Sequence, residues 1–399
     1  MKVFRNIKNL HFEVTRVCNI NCVYCSADKG DTQTNPFMPL QTAHKFIDLV
    51  LGSTCAEDIG LYFYGGEALL QSEEWYCNVI EYAKEHVRTD NQKLHFYMQS
   101  NLTILDDRKI DLMRKYHIVT GTSLDGPPHL SDITREKSGV VLGNIPKLKA
   151  IGCFGGVICT INKHNYDKIT QILKFFEAEE IFWVKFNIVY RIGRGRNLAP
   201  LNADELFLAY KQIYDYLENT KGKKIIDSNM AERLVKYVYP HGLKEYTEVL
   251  MCNHPFCGGG ITLAICDVKG DIYPCGCSDM TTQFRLGNVD EVDEDTYIDA
   301  IRKFHANDKY DEKCSLCDAI RICNFGCTGF RTIDSLTAES ECKATKMLYS
   351  YVRKKEDNVV FEIVQNMRSG RHQYDWQIKR LEANISGSQD TMMHPDKQE

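Results

Sequence analysis

Residues 10–25 read LHFEVTRVCNINCVYC, and two patterns meet inside them. Leu10, Phe12 and Val14 alternate with polar neighbours, the period-two signature of a strand with one face against a core. Directly behind stand Cys18, Cys22 and Cys25, three thiols at C-x3-C-x2-C spacing on a stretch with no helix-enforcing pattern. Three thiolates on one short loop can hold three irons of a cubane and leave the fourth iron open to another ligand. A zinc site is the competing reading, but it needs a fourth nearby Cys or His.

Working outward, the pattern repeats. Ala43, Phe46, Ile47, Val50 and Leu51 fall at helical spacing after Pro39, and LYFY at 61–64 reads as the next strand. A helix near 72–87, the strand LHFYM (94–98), a helix near 106–116 and the strand HIVTGTSL (117–124) follow. A helix near 142–151, the strand GVICTI (156–161), a helix carrying Ile169, Ile172, Leu173 and Phe176, and the strand WVKFNIV (183–189) complete the series. Such a βα run predicts an α/β fold, a parallel sheet curling into a complete or partial (β/α)6 TIM-like barrel with ligands at the C-terminal strand ends. Residues 202–240 read as helical and bridging. From 252 the chain is loop-rich, with one hairpin, TLAICDVKGDIYPC, turning at Lys269 and Gly270. Residues 343–383 regain helical character before a polar tail, SGSQDTMMHPDKQE. The expected divisions are 1–200 (barrel), 201–250 (helical bridge), 251–345 (cysteine-rich domain) and 346–399 (helical segment and tail).

The composition narrows the function. With 399 residues the chain is long enough for two or three domains. Its 49 basic and 54 acidic residues give a net charge of −5 and no field to draw a phosphate backbone, which argues against nucleic acid as a partner. The opening MKVFRNIKNLHFEV has no apolar signal core, and no run approaches the ~20 apolar residues of a membrane span, so a cytoplasmic protein is expected. In a reducing compartment 17 cysteines are metal or cluster ligands rather than disulfides. Seven lie between 18 and 159 and ten between 252 and 342, which marks two functional regions.

C-x3-C-x2-C with Tyr24 before the last cysteine, at the end of the first strand of a βα series, resembles the radical S-adenosylmethionine (SAM) superfamily. The resemblance implies that the open iron chelates the amino and carboxylate groups of SAM, whose cleavage yields a 5'-deoxyadenosyl radical. Gly65, Gly66 and Glu67 after LYFY are similar to the family's GGE motif, where glycines admit the backbone to SAM and the carboxylate receives its ammonium. Asn101 in SNLT resembles the asparagine of T-N-G-T, with Leu102 in place of the usual glycine. Ser123 in SLDGP and Arg135 in DITREKSG resemble positions that hold the SAM ribose and carboxylate.

Cys314, Cys317, Cys323 and Cys327, at C-x2-C-x5-C-x3-C, are followed by Cys342 and preceded by Cys252, Cys257 and Cys275. Taken alone, the spacing also suits a zinc ribbon. Together with the barrel it resembles the SPASM domain, which carries two auxiliary [4Fe-4S] clusters, three with the SAM cluster. By that resemblance Cys252, Cys257, Cys275 and Cys327 hold one, and Cys314, Cys317, Cys323 and Cys342 the other. Cys266 and Cys277 flank the hairpin and are open alternatives for the first set. Cys55, Cys77, Cys153 and Cys159 are expected to be buried, inert thiols.

Relatives of this architecture modify peptides and proteins, fed with electrons by a flavodoxin- or ferredoxin-type reductant. In the sulfatase-maturating branch an aspartate base follows the cysteine of Y-P-C; here that residue is Gly276, and Asp279 is the nearby substitute. The expectation is therefore a maturase that forms a thioether or carbon–carbon crosslink in a ribosomally made precursor peptide. Formylglycine formation on sulfatases and dehydrogenation of a small molecule are the alternatives, and a non-catalytic scaffold is the bland one. With Cys18 so early, no leader-binding winged helix is expected ahead of the barrel; a separate leader-binding protein, or the barrel itself, would take that role.

Overall fold

The structure is a computed structural model that describes residues 2–26, 37–239, 257–276, 282–306, 312–323 and 325–369. Its centre is a parallel sheet of alternating strands and helices: β1 (Asn9–Thr15), α1 (Leu40–Leu51), β2 (Asp58–Gly65), α2 (Glu73–Glu85), β3 (Lys93–Gln99), α3 (Asp107–Tyr116) and β4 (Val119–Ser123). A single helical turn α4 (Pro128–Ser131), α5 (Ser138–Ala150), β5 (Phe154–Ile161), α6 (Ile169–Ala178) and β6 (Trp183–Ile188) complete six βα steps.

The alternation anticipated for β1 places Leu10, Phe12 and Val14 in the main core, where Phe12 meets Phe46 of α1 and Phe63 of β2. Helix starts follow capping chemistry. Ser72 accepts a hydrogen bond from the Trp75 amide, Asp106 accepts one from Lys109, and Asn202 with Glu205 closes a capping box. Helix α5 begins four residues before the expected 142. Gly139, Gly143 and Pro146 weaken the local helical signal, but Val141, Ile145 and Leu148 pack into the core, and that burial outweighs propensity.

The series runs past residue 200. Helix α7 (Ala203–Thr220) returns to a two-residue strand β7 (Ile226–Asp227) parallel to β6, followed by α8 (Ser228–Val238). At the other edge the hairpin β8 (Leu263–Cys266) and β9 (Asp271–Tyr273) joins the same sheet, β8 running parallel to β1 with Cys266 opposite Phe12. Gly270 at φ +86° makes its turn. With β10 (Gly287–Asn288) the sheet order is β10-β9-β8-β1-β2-β3-β4-β5-β6-β7, an open, partial barrel. An uncovered β1 edge would present a row of unpaired amides and carbonyls, which the hairpin satisfies. The cysteine-rich segment is thus stitched to the barrel sheet. Helices Ser335–Val352 and 357–369 pack beside α7. Among the described residues no helix is long and apolar enough to cross a membrane.

Candidate active site

The C-terminal strand ends meet in one cavity of about 990 Å³, lined by Cys18, Cys22 and Cys25 from the first cysteine region and Cys257, Cys323 and Cys327 from the second. What shapes it begins where the paired strands β1 and β2 end side by side. The Gly66 and Glu67 amides donate to the carbonyls of Thr15 and Val17, each at 2.8 Å. A Cβ on Gly65 would stand 2.2 Å from the Thr15 oxygen, and one on Gly66 2.1 Å from that of Val17. These two glycines, expected to admit a ligand, are first required for the two segments to lie closely side by side at the root of the cysteine loop. Arg16 adds a tie by pairing with Glu13 (3.0 Å) and with Asp267 of the hairpin (2.7 Å).

Glu67 is not among the residues that line the cavity. Its carboxylate is fully buried: one oxygen accepts from the Leu69 amide (2.9 Å) and the Ser100 hydroxyl (2.7 Å), the other from the Asn101 amide (2.6 Å). Burial pushes its pKa up while these donors pull it down. With two donors at the β3 end and one at Leu69, it acts as a latch between β2 and β3. Asn101 does border the cavity, and its side chain reaches Asn19 of the cysteine loop at 2.8 Å. Leu102, where the family has glycine, keeps the left-handed backbone at φ +57° and is fully buried.

On the far side of the loop, buried Asp125 gathers Tyr24, Thr134, Arg135 and the Thr160 amide. Tyr24 donates its hydroxyl proton to Asp125, and the Arg135 guanidinium carbon lies 5.2 Å from the Tyr24 ring centre. Arg135 also points a nitrogen at the Cys22 sulfur, 3.8 Å away. Burial pushes the Cys22 thiol up to about 11, with Arg135 opposing. Arg135 and Ser123 both line the cavity; Ser123 accepts a hydrogen bond from Gln99 at 3.0 Å.

Pattern reading missed a third wall, residues 191–197, RIGRGRN. Gly193, at φ +52°, lies so close to the triplet that a Cβ would stand 2.3 Å from the Ser26 oxygen, and the Arg194 amide donates to the Cys25 carbonyl (2.9 Å). The G-x-G was its signal. Asp125 and Ser100 carried none, since their partners are distant in sequence.

Cys18 lies in the field of Cys25, and Cys22 in that of both Cys25 and Cys18. Among the described residues no group of three or more His, Cys, Asp or Glu is arranged to hold a single metal ion. The three thiols instead face one cavity from one loop, a donor set that suits three irons of a cluster. Residues 12–176 match the family model of the Radical SAM superfamily. Residues 12–176 are a radical SAM domain, and the chain is an enzyme. The chemistry of that domain's family uses SAM and a [4Fe-4S] cluster.

Other similarities extend along the chain. It is 21% identical over 370 residues to the cysteine-type anaerobic sulfatase-maturating enzyme of Clostridium perfringens, covering 87% of this chain and 96% of that one. The fold superposes on native anSMEcpe, solved with bound AdoMet and the Cp18Cys peptide, with a TM-score of 0.71 and 17% identity over 90% of this chain and 99% of the other. It is also similar to Streptococcus suis SuiB, solved bound to precursor peptide SuiA, with a TM-score of 0.54 and 16% identity over 80% of this chain and 72% of SuiB.

In the second cysteine region of this enzyme, Cys323 responds electrostatically to Cys314 and Cys342, and Cys342 to Cys314 and Cys317. Cys275 packs against the cluster of Leu263, Ile265 and Tyr273, and the Pro274 carbonyl next to it accepts from the Gly260 amide (3.1 Å), which brings the Cys257 and Cys275 segments together. Cys252, Cys277 and Asp279 lie outside the described residues. Cys266 is withdrawn as an alternative ligand: it is fully buried in the core on β8, and its thiol is pushed well up by burial. Cys153 and Cys159 are the expected buried thiols, Cys153 pushed up to about 12. Cys77 is half-buried, while Cys55 is exposed, because it sits in the turn before β2 rather than on a packed face.

Proposed function

We propose that this enzyme is a peptide maturase that abstracts hydrogen from a residue of a ribosomally made precursor peptide and forms a thioether or carbon–carbon crosslink. The observation that carries this reading is the shared cavity: thiols of the triplet and of the second cysteine region line one space large enough for a peptide segment beside SAM. Cys18, Cys22 and Cys25 would hold the SAM cluster, and Gly65, Gly66, Asn101, Ser123 and Arg135 would border SAM. When bound, cluster and SAM would supply the carbon radical that removes the hydrogen. The chain's own part is to fix the loop through Glu67, Asp125 and Gly193, to align one C–H and to exclude water.

Cys314, Cys317, Cys323 and Cys342 would hold one auxiliary cluster, and Cys257, Cys275 and Cys327 with Cys252 the other. In this reading residues 1–200 are the radical SAM barrel, 201–250 the bridge, 251–345 the auxiliary-cluster domain and 346–399 a helical segment and tail, a functional division laid over one continuous sheet. Electrons would come from a flavodoxin or ferredoxin, and the leader would be gripped by a separate protein or by the barrel. Gly276 in place of an aspartate weighs against formylglycine formation; a Cβ there would meet only Ile265, so the missing carboxylate is not a matter of space.

The test is the mass of a short peptide encoded beside this gene, co-produced with the enzyme under low oxygen. Loss of two hydrogens per event, abolished when Cys18, Cys22 and Cys25 become alanine, is expected. An unchanged peptide alongside continued SAM cleavage overturns the assignment and moves the search to sulfatase peptides and small molecules.

A further inference from the structure

Lys185 stands in the middle of β6 between Val184 and Phe186, whose side chains are buried, and its own exposed side chain lines the cavity. Neighbouring strands fix its level. Ser123 on β4 is in register with Ile158 on β5, and Ile158 with Lys185. The three share one row of the sheet, so Lys185 lies two strands, about 10 Å, beyond the serine expected to border SAM. It stands on the side of the cavity against which α8 packs.

Its charge has no counter-ion. Lys185 takes part in no hydrogen bond or ion pair among the described residues, while the acidic side chains of the cavity wall are already engaged. Asp227 accepts from the Phe186 amide (3.0 Å) and the Met230 amide (2.8 Å), Glu232 pairs with Lys236 (2.5 Å), and Glu341 pairs with Arg233 (3.1 Å). Four strands separate β6 from β1 in the sheet, yet its curl brings the Lys185 charge to bear on His11. Burial, and then that charge, push His11 down to about 3, so it is neutral, and it stacks on Tyr62 with ring centres 4.4 Å apart.

In an open, wet cavity an ammonium is satisfied by water. A substrate that fills the space strips that water away, and an ammonium then left unpaired costs far more than one that meets a carboxylate. The same asymmetry rejects an uncharged isostere, which desolvates the lysine and returns nothing.

We propose that Lys185 is a specificity-determining residue whose ammonium receives a carboxylate of the substrate. The peptide as source rests on the maturase reading, under which the carboxylate is an aspartate or glutamate side chain, or the C-terminus, of the precursor. The contact is an ion pair that positions the substrate and takes no part in bond making.

The experiment titrates three small probes, acetyl-Gly-Glu-Gly-amide, acetyl-Gly-Gln-Gly-amide and acetyl-Gly-Gly-Gly with a free carboxylate, into the full-length chain reconstituted with iron and sulfide and supplied with SAM. Calorimetry reads the binding. The glutamate probe should bind about tenfold tighter than the glutamine probe. Lys185→Gln should erase that difference, Lys185→Arg should keep most of it, and all three chains should bind SAM equally. A preference that depends on Lys185 but belongs to the free-carboxylate probe also supports the site and makes the chain terminus its source. A parent with no preference for either charged probe, or a preference that survives Lys185→Gln, overturns the proposal. So does a Lys185→Gln chain that loses SAM binding, because the lysine would then serve the carboxylate of SAM. A preference dependent on Lys185, in a chain that leaves the peptide encoded beside the gene unchanged, supports the carboxylate site and removes only the peptide as its source.

Discussion

Replacing Leu102 separates backbone strain from burial at the heart of the site. The residue sits at φ +57° with its side chain fully buried; its amide donates to Ser100 (2.9 Å) and its carbonyl accepts from Asn144 (2.8 Å). Truncation to alanine removes core packing at a cost of about 2–5 kcal/mol. Going on from alanine to glycine loses a buried methyl, about 0.8 kcal/mol, and frees the unfolded chain by about 0.4–1 kcal/mol. It also releases the left-handed penalty of about 1–2 kcal/mol. The terms nearly cancel, so Leu102→Gly should unfold within about 0.5 kcal/mol of Leu102→Ala. The control is Leu61, equally buried but on the extended strand β2 with no left-handed penalty to release. There glycine should be worse than alanine by about 1–2 kcal/mol. Urea midpoints of the metal-free chains, read by tryptophan fluorescence, measure both differences. If the glycine-to-alanine gap at 102 equals that at 61, the retained left-handed backbone is not the reason a glycine position tolerates leucine.

Further outcomes follow from other parts of the structure. Asp227, buried beneath α8 and accepting from the Phe186 and Met230 amides, is pushed up to about 6 by burial. The folded state therefore holds a proton that the unfolded state has lost between about pH 4 and 6, so this group's contribution to stability falls by up to about 3 kcal/mol as pH rises through that window. Urea midpoints of Asp227→Asn from pH 4 to 7 should lack that component relative to the parent; parallel profiles would refute it. Gly66→Ala should displace the root of the triplet and lower iron binding on reconstitution several-fold, because its Cβ cannot share space with the Val17 carbonyl. Retention of the parent's iron content would count against the close approach of Gly66 to Val17. Alkylation of the native, metal-free chain followed by peptide mass mapping should label Cys55 readily and leave Cys153, Cys159 and Cys266 unlabelled until denaturant is added. Early labelling of Cys159 would contradict its burial.

The sequence by itself determined the order of strands and helices through β6, the triplet and its loop, and the residues that border the cavity at the strand ends. Those features are local: alternation, helical spacing, caps and cysteine intervals are written within a few residues of one another. It also left the leucine of S-N-L-T standing as a departure, and only the backbone angle shows that the motif's conformation is kept. Tertiary structure decided what depends on distant partners. It made Glu67 a latch between β2 and β3, because two of its hydrogen-bond donors lie 33 and 34 residues away at Ser100 and Asn101. It placed the hairpin on the edge of β1 across more than 240 residues of chain, since an open strand edge accepts any segment that can satisfy its amides. It also brought Arg233 to Glu341, a pairing with no sequence signal, since charges attract by their distance in space and not along the chain.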